Sequence, residues 1–145
     1  MKIASRYVPK TLSKRDSKKQ KKNIQQTRKL YRNKIYKDRP FLSSFRSKGS
    51  PHVIKAKRIY KVHAIVPSKE LAKSTKCSIK GLKRITKKGR AAYYSSGSRP
   101  NQSAQSWARA RLASSITGGK ASRSDYNILQ EECNPSSLAL KLAQY

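Results

Sequence analysis

The chain has 145 residues, room for about one ordinary domain, and sets 36 Lys and Arg against 6 Asp and Glu, a formal charge of +30. Self-repulsion on that scale opposes compaction, so nucleic acid or an acidic protein surface is the expected companion, and an enzyme acting on acidic small molecules is weakly supported. Cys77 and Cys133 stand alone without metal-ligand spacing, and Met1 to Lys10 offers no apolar run for a signal peptide or a membrane span. A disulfide-stapled secreted scaffold is therefore excluded, and a soluble protein of a reducing compartment is expected.

The charge is graded along the chain. Residues 1–66 carry 21 basic and 2 acidic side chains, residues 67–98 carry 9 and 1, and residues 99–145 carry 6 and 3. Apolar residues run the other way, which assigns 1–51 to a basic arm and linker, extended or marginally helical, and 52–145 to a small α-rich domain. In chain order, Ser13 to Asp16 reads as a capping box opening a helix with Ile24, Thr27, Tyr31 and Ile35 on one face, ended by Arg39-Pro40. Its stripe is narrow and surrounded by lysine, so a partner is expected to stabilise it. Phe41 to Pro51 reads as an extended linker with anchors at Phe41 and Phe45.

From Val53 the apolar period changes to two, with Ile54, Ala56, Tyr60, Val62, Ala64 and Val66 opposite Lys55, Lys57, Lys61 and His63. That alternation predicts a half-buried strand, firmest over Ile59 to Val66, stopped by Pro67. Ser68 is placed to cap a short helix to Lys76, and Ser78 a second one carrying Ile79, Leu82 and Ile85 until Gly89. Arg90 to Tyr94 reads as a short strand or a continuation of that helix, and Ser95 to Asn101 as a loop. Ser103 caps a helix with Trp107, Ala108, Leu112 and Ile116 near one face, stopped by Gly118-Gly119. Ser122 to Asp125 opens another with Tyr126, Leu129 and Cys133 inward, and Asn134-Pro135 opens a last one with Leu138, Leu142 and Tyr145 inward. The expected fold is α+β: a mostly helical C-terminal module with one or two short strands, behind an extended basic N-terminal arm.

Functional expectations follow the cations. Lys14, Arg15, Lys18, Lys19, Lys21, Lys22, Arg28, Lys29, Arg32 and Lys34, joined by Lys55, Lys57 and Lys61 on the expected strand, form the candidate polyanion-binding set, because closely spaced ammonium groups replace the counterions condensed on phosphates. The segment SSGSRPNQ supplies a second candidate, an anion or partner loop of Arg90, Ser98, Arg99, Asn101, Arg109 and Arg111, set against a plain structural loop. Gly118-Gly119-Lys120 is not a nucleotide-binding loop: the first glycine of that motif is missing and Ala121 replaces its hydroxyl. His52 and His63 have no carboxylate near them in sequence, and Trp107 suits a core better than a base-stacking platform. No catalytic residue, metal or cofactor is expected.

The stretch KGRAAYYSSGSRPNQSAQSWARARLASSITGGKASRSD, Lys88 to Asp125, resembles a small uncharacterised domain found in proteins of large eukaryotic DNA viruses. The resemblance covers about a quarter of the chain and carries no mechanism. It implies a viral origin and shifts the polyanion towards viral DNA or the inner surface of a particle. The expected function is then a non-enzymatic structural component of a virion, a minor capsid or internal protein in a multi-protein assembly, its arm on nucleic acid, DNA first, or on acidic faces of capsid proteins. Expected locations are the virion and, during assembly, the host nucleus or cytoplasm. The alternatives are a nonspecific nucleic-acid-binding protein of the infected cell and a nucleic-acid-modifying enzyme using Arg99 and His63.

Overall fold

The computed structural model describes residues 2–47 and 49–144, and every regular element in it is helical. After a one-turn 3-10 helix at Ser5–Tyr7 come α1 (Lys14–Arg32), α2 (Pro51–Tyr60), α3 (Lys69–Thr75), α4 (Ile79–Ser95), α5 (Ala104–Ile116), α6 (Lys120–Ser124), α7 (Tyr126–Glu132) and α8 (Leu138–Ala143). Among the described residues there is no strand, only an isolated antiparallel bridge between Cys77 and Cys133. The α+β expectation is therefore wrong. The chain divides into two units that interleave in sequence: Met1–Lys48 with Arg90–Trp107, and Gly49–Gly89 with Ala108–Tyr145. The segment expected as an extended or marginally helical arm contains α1, and residues 1–48 group with Arg90–Trp107 in one compact unit.

In the first unit α1 starts where the sequence says it should. Ser13 is its N-cap, accepting from Asp16 N at 3.1 Å. The Asp16 carboxylate then accepts from Ser44 N at 3.0 Å instead of reaching back, while Ser13 N donates to Ser44 Oγ at 3.1 Å. The helix stops at Arg32, seven residues short of Arg39-Pro40, in a Schellman turn: Lys34 N donates to Tyr31 O and Ile35 N to Leu30 O, both at 3.0 Å. Ile35 thus falls outside the helix and is 51% exposed. The linker anchors also differ, since Phe41 is 78% exposed while Leu42 is fully buried. Asn101 holds Leu42 in place, accepting from its N–H at 2.8 Å and donating to its carbonyl at 3.1 Å.

The interior of this unit is as much polar as apolar. Tyr7, Leu12, Ile24, Leu42, Tyr93 and Ala104 are buried beside Asp16, Gln20, Asn23, Thr27, Arg28, Arg39 and Ser98. Arg39 is the hub. Its Nε donates to Ser98 Oγ at 3.1 Å, its Nη1 to Asn23 Oδ1 at 2.7 Å and Thr27 Oγ1 at 3.1 Å, and its Nη2 to Tyr93 O. The guanidinium carbon lies 4.3 Å from the Tyr93 ring centroid. Burial pulls the Arg39 pKa down, and none of its hydrogen-bond partners is a carboxylate. Four neutral acceptors and a π face replace the lost water, which makes this charge tolerable inside.

The second unit has the conventional core: Ala56, Tyr60, Val62, Ile65, Leu71, Leu82, Ile85, Leu112, Ile116, Ile128, Leu129 and Leu140 pack together. The predicted strand is α2 and the turn after it. Ser50 caps this helix and Pro51 occupies its first turn, and Ala56 and Tyr60 face inward while Ile54 is 63% exposed. A helical spacing thus underlies what resembled alternation. Val62 and Ile65 enter the core from the turn after Lys61.

Ser68, Ser78 and Ser103 act as expected, accepting from Leu71 N at 3.1 Å, Gly81 N at 3.0 Å and Ser106 N at 3.0 Å. Gly89 does not end α4. A Cβ there would stand 2.7 Å from Ala108 Cα, so this glycine lets α5 pass close by. Gly118, at φ +74°, does end α5, with Gly119 N donating to Ser114 O at 2.8 Å. The helix expected from Ser122 is broken at Asp125, which is fully buried and takes two bonds from Arg111, at 2.8 and 3.1 Å, and one from Ser115 at 2.6 Å. In α8 the inward residues are Ala139, Leu140 and Ala143; Leu138 is exposed, and Tyr145 lies outside the described residues.

Cys77 and Cys133 form a disulfide, against the expectation of two separate thiols. Backbone bonds flank it, Ser78 N to Glu132 O and Asn134 N to Lys76 O, both at 2.8 Å. Finally, Lys34 (φ 59°), Lys61 (φ 52°) and Lys76 (φ 58°) adopt the left-handed conformation just past α1, α2 and α3.

Candidate polyanion-binding face

The 19-residue helix α1 is about 28 Å long at 1.5 Å per residue. At 100° per residue, its inward residues Asp16, Gln20, Asn23, Ile24, Thr27 and Arg28 fall within an arc of about 140°. Lys14, Arg15, Lys18, Lys19, Lys21, Lys22, Lys29 and Arg32 are all exposed and occupy an opposite arc of about 160°. Arg28 sits at the edge of the buried arc and turns inward: its Nε donates to Ser96 O at 2.9 Å and its Nη2 to Lys2 O at 3.3 Å. That candidate is a structural residue. Lys34 is exposed at the helix stop.

Charge balance distinguishes the two units. The first holds 19 Lys and Arg against Asp16 and Asp38, and among the described residues no ion pair forms in it. The ion pairs of the described residues are Arg84 with Glu131 and Glu132, and Arg111 and Lys88 with Asp125, all in the second unit. The Asp16 carboxylate is held below its ordinary value by the two Ser44 hydrogen bonds and, less, by Lys19 and Arg15. A cleft of about 550 Å³ adjoins the face, lined by Ile3, Val8, Pro9 and Leu12 together with Lys10, Lys14, Lys18 and Lys21.

The remaining candidates separate. Lys55, Lys57 and Lys61 are exposed on and just after α2, in the second unit. A groove of about 500 Å³ along α4, lined by Ile79, Lys80, Lys83, Arg84 and Lys87, adds cations there that the sequence reading did not single out. Their spacing of three and four residues was the available signal. Of the expected loop site, Ser98 is consumed by Arg39 and Gln20, Asn101 by Leu42 and Phe45, and Arg111 by Asp125. Arg90, Arg99 and Arg109 are exposed, but Arg90 and Arg99 belong to the first unit and Arg109 to the second.

His52 and His63 are exposed, and Trp107 is half-buried, edge-on to Tyr7 at 5.8 Å. Among the described residues no group of three His, Cys, Asp or Glu is placed to hold a metal ion, and no helix is long and apolar enough to cross a membrane.

These features define a class: an all-helical, strongly cationic protein in two units, one presenting a lysine-faced helix. Residues 5–132 match the model of a family of unknown function, DUF5824, and the chain belongs to that family. No curated protein and no solved structure matches it.

Proposed function

We propose that this protein is a non-enzymatic polyanion-binding protein whose α1 face takes phosphate, DNA in the first place. The observation that carries the reading is the set of eight exposed cations on one face of α1, with no ion pair in their unit among the described residues. Such a face is neutralised by solvent ions when free, and when its ammonium and guanidinium groups replace the cations condensed on a polyanion's phosphates, the release of those cations drives binding. The resemblance of Lys88 to Asp125 to a domain of large DNA viruses supports placing the protein in a virus particle, on viral DNA or acidic capsid faces.

The test is a titration of the full-length protein with duplex DNA at several salt concentrations. For six to ten phosphate contacts, affinity is expected to fall by roughly a thousand-fold or more between 50 and 200 mM salt. The triple variant Lys18→Gln, Lys22→Gln, Lys29→Gln is expected to flatten the log–log salt slope by about 3, close to 0.9 per lost contact. An unchanged slope and affinity in that variant would show that the face is idle.

A further inference from the structure

We propose that the first unit presents a base-stacking platform for single-stranded nucleic acid, built from Tyr31, Tyr36 and Tyr94. This deepens the polyanion reading and rests on it. Tyr31 closes α1, Tyr36 follows the Schellman turn, and Tyr94 lies in the last turn of α4, yet their rings converge. Tyr31 and Tyr94 are nearly parallel, 13° apart with centroids at 6.1 Å. Tyr36 leans on both, 5.0 Å from Tyr94 and 5.9 Å from Tyr31.

A cluster that served only to staple the turn to α4 would bury its outermost ring, but Tyr36 remains 61% exposed. Nor does its hydroxyl hydrogen-bond to any described residue. An aromatic face left in water beside an already formed stack is a site where another flat ring adds to the pile.

The surroundings select the occupant by charge. Arg32 follows Tyr31, Lys34 and Lys37 flank Tyr36, and Arg90 lies one turn before Tyr94; all four are exposed. Asp38 is the one carboxylate in these stretches, and burial first, then Asp38, holds the Tyr94 phenol above its ordinary pKa, so it stays neutral. Cations around uncharged π faces match a ligand that offers phosphates and unstacked bases together. A duplex offers phosphates but keeps its bases stacked, and an acidic polypeptide offers charge without a flat ring at each unit.

The test measures binding of the full-length protein to a twelve-nucleotide oligothymidylate, to an abasic strand of the same length, and to polyglutamate. The wild type is expected to prefer the base-bearing strand over the abasic one. Tyr36→Ala is expected to lose about five-fold or more on oligothymidylate, the low end for one stacked base, and to be unchanged on the abasic strand. Tyr36→Phe, which keeps the ring, should retain the wild-type preference. Equal affinity for the two strands, or an equal loss on both in Tyr36→Ala, overturns the platform and leaves the polyanion reading standing. A loss in Tyr36→Ala confined to polyglutamate makes the patch a protein-docking face and also overturns it. No binding to any of the three removes the platform, and if duplex DNA is not bound either, the polyanion reading falls with it.

Discussion

Replacing Cys77 and Cys133 together by serine removes a covalent tie between the α3–α4 junction and the end of α7. The two residues are 56 apart in sequence. Freeing a loop of that size restores about 14 cal/mol/K of chain entropy to the unfolded state, which corresponds to about 4 kcal/mol at 25 °C. The flanking backbone bonds at Ser78 and Asn134 do not depend on sulfur, so the double variant should fold and lose mainly that entropic term. Urea unfolding followed by circular dichroism reads the difference. With a slope of about 2 kcal/mol/M, the midpoint should fall by about 2 M, and reduced wild type should follow the variant. Coincident curves for oxidised wild type and variant, or two alkylatable thiols in the native protein, would refute the reasoning.

Two further outcomes are expected. Asp125→Ala leaves the Arg111 guanidinium, only 24% exposed, without its carboxylate and Ser115 without its acceptor; the loss should be about 3–5 kcal/mol, measurable by the same unfolding. The Asp16 carboxylate is depressed by Ser44, so its stabilising contribution is complete above the ordinary carboxylate pKa and is lost as pH falls through the depressed one. Protection of the amides in the first turn of α1 against exchange, taken relative to the intrinsic rate at each pH, should therefore fall on acidification below about pH 4, and Asp16→Asn should remove that fall.

Sequence legibility tracked how local the deciding interaction was. Ser13, Ser68, Ser78 and Ser103 satisfy amides three residues ahead, a relation written in neighbouring letters. The Gly118-Gly119 stop is equally local. Gly89 carries the same letter, but its role depends on Ala108, which the neighbourhood does not reveal. At α2, Ile54, Ala56, Tyr60 and Val62 mimic a period of two because lysines fill the gaps, whereas Ser50-Pro51 was the signal for a helix start. The scarcity of apolar residues in residues 1–51 suggests an arm. Arg39 and its distant partners Tyr93 and Ser98 supply cohesion that no periodicity displays. Of the candidate site, the α1 lysines were legible from density alone, while the inward turn of Arg28 required its helical angle, and the meeting of Tyr31, Tyr36 and Tyr94 required the tertiary fold.

The three lysines that terminate α1, α2 and α3 in the left-handed conformation occupy positions where glycine is conformationally easiest, each forgoing about 1 kcal/mol. Part of that is offset where an ammonium group meets the negative end of a helix macrodipole. Positive charge here extends into the punctuation of the chain. A Lys→Gly exchange at these stops is consequently a way to make the protein sturdier and less adhesive in one step, separating its cohesion from its electrostatics without touching a packed residue.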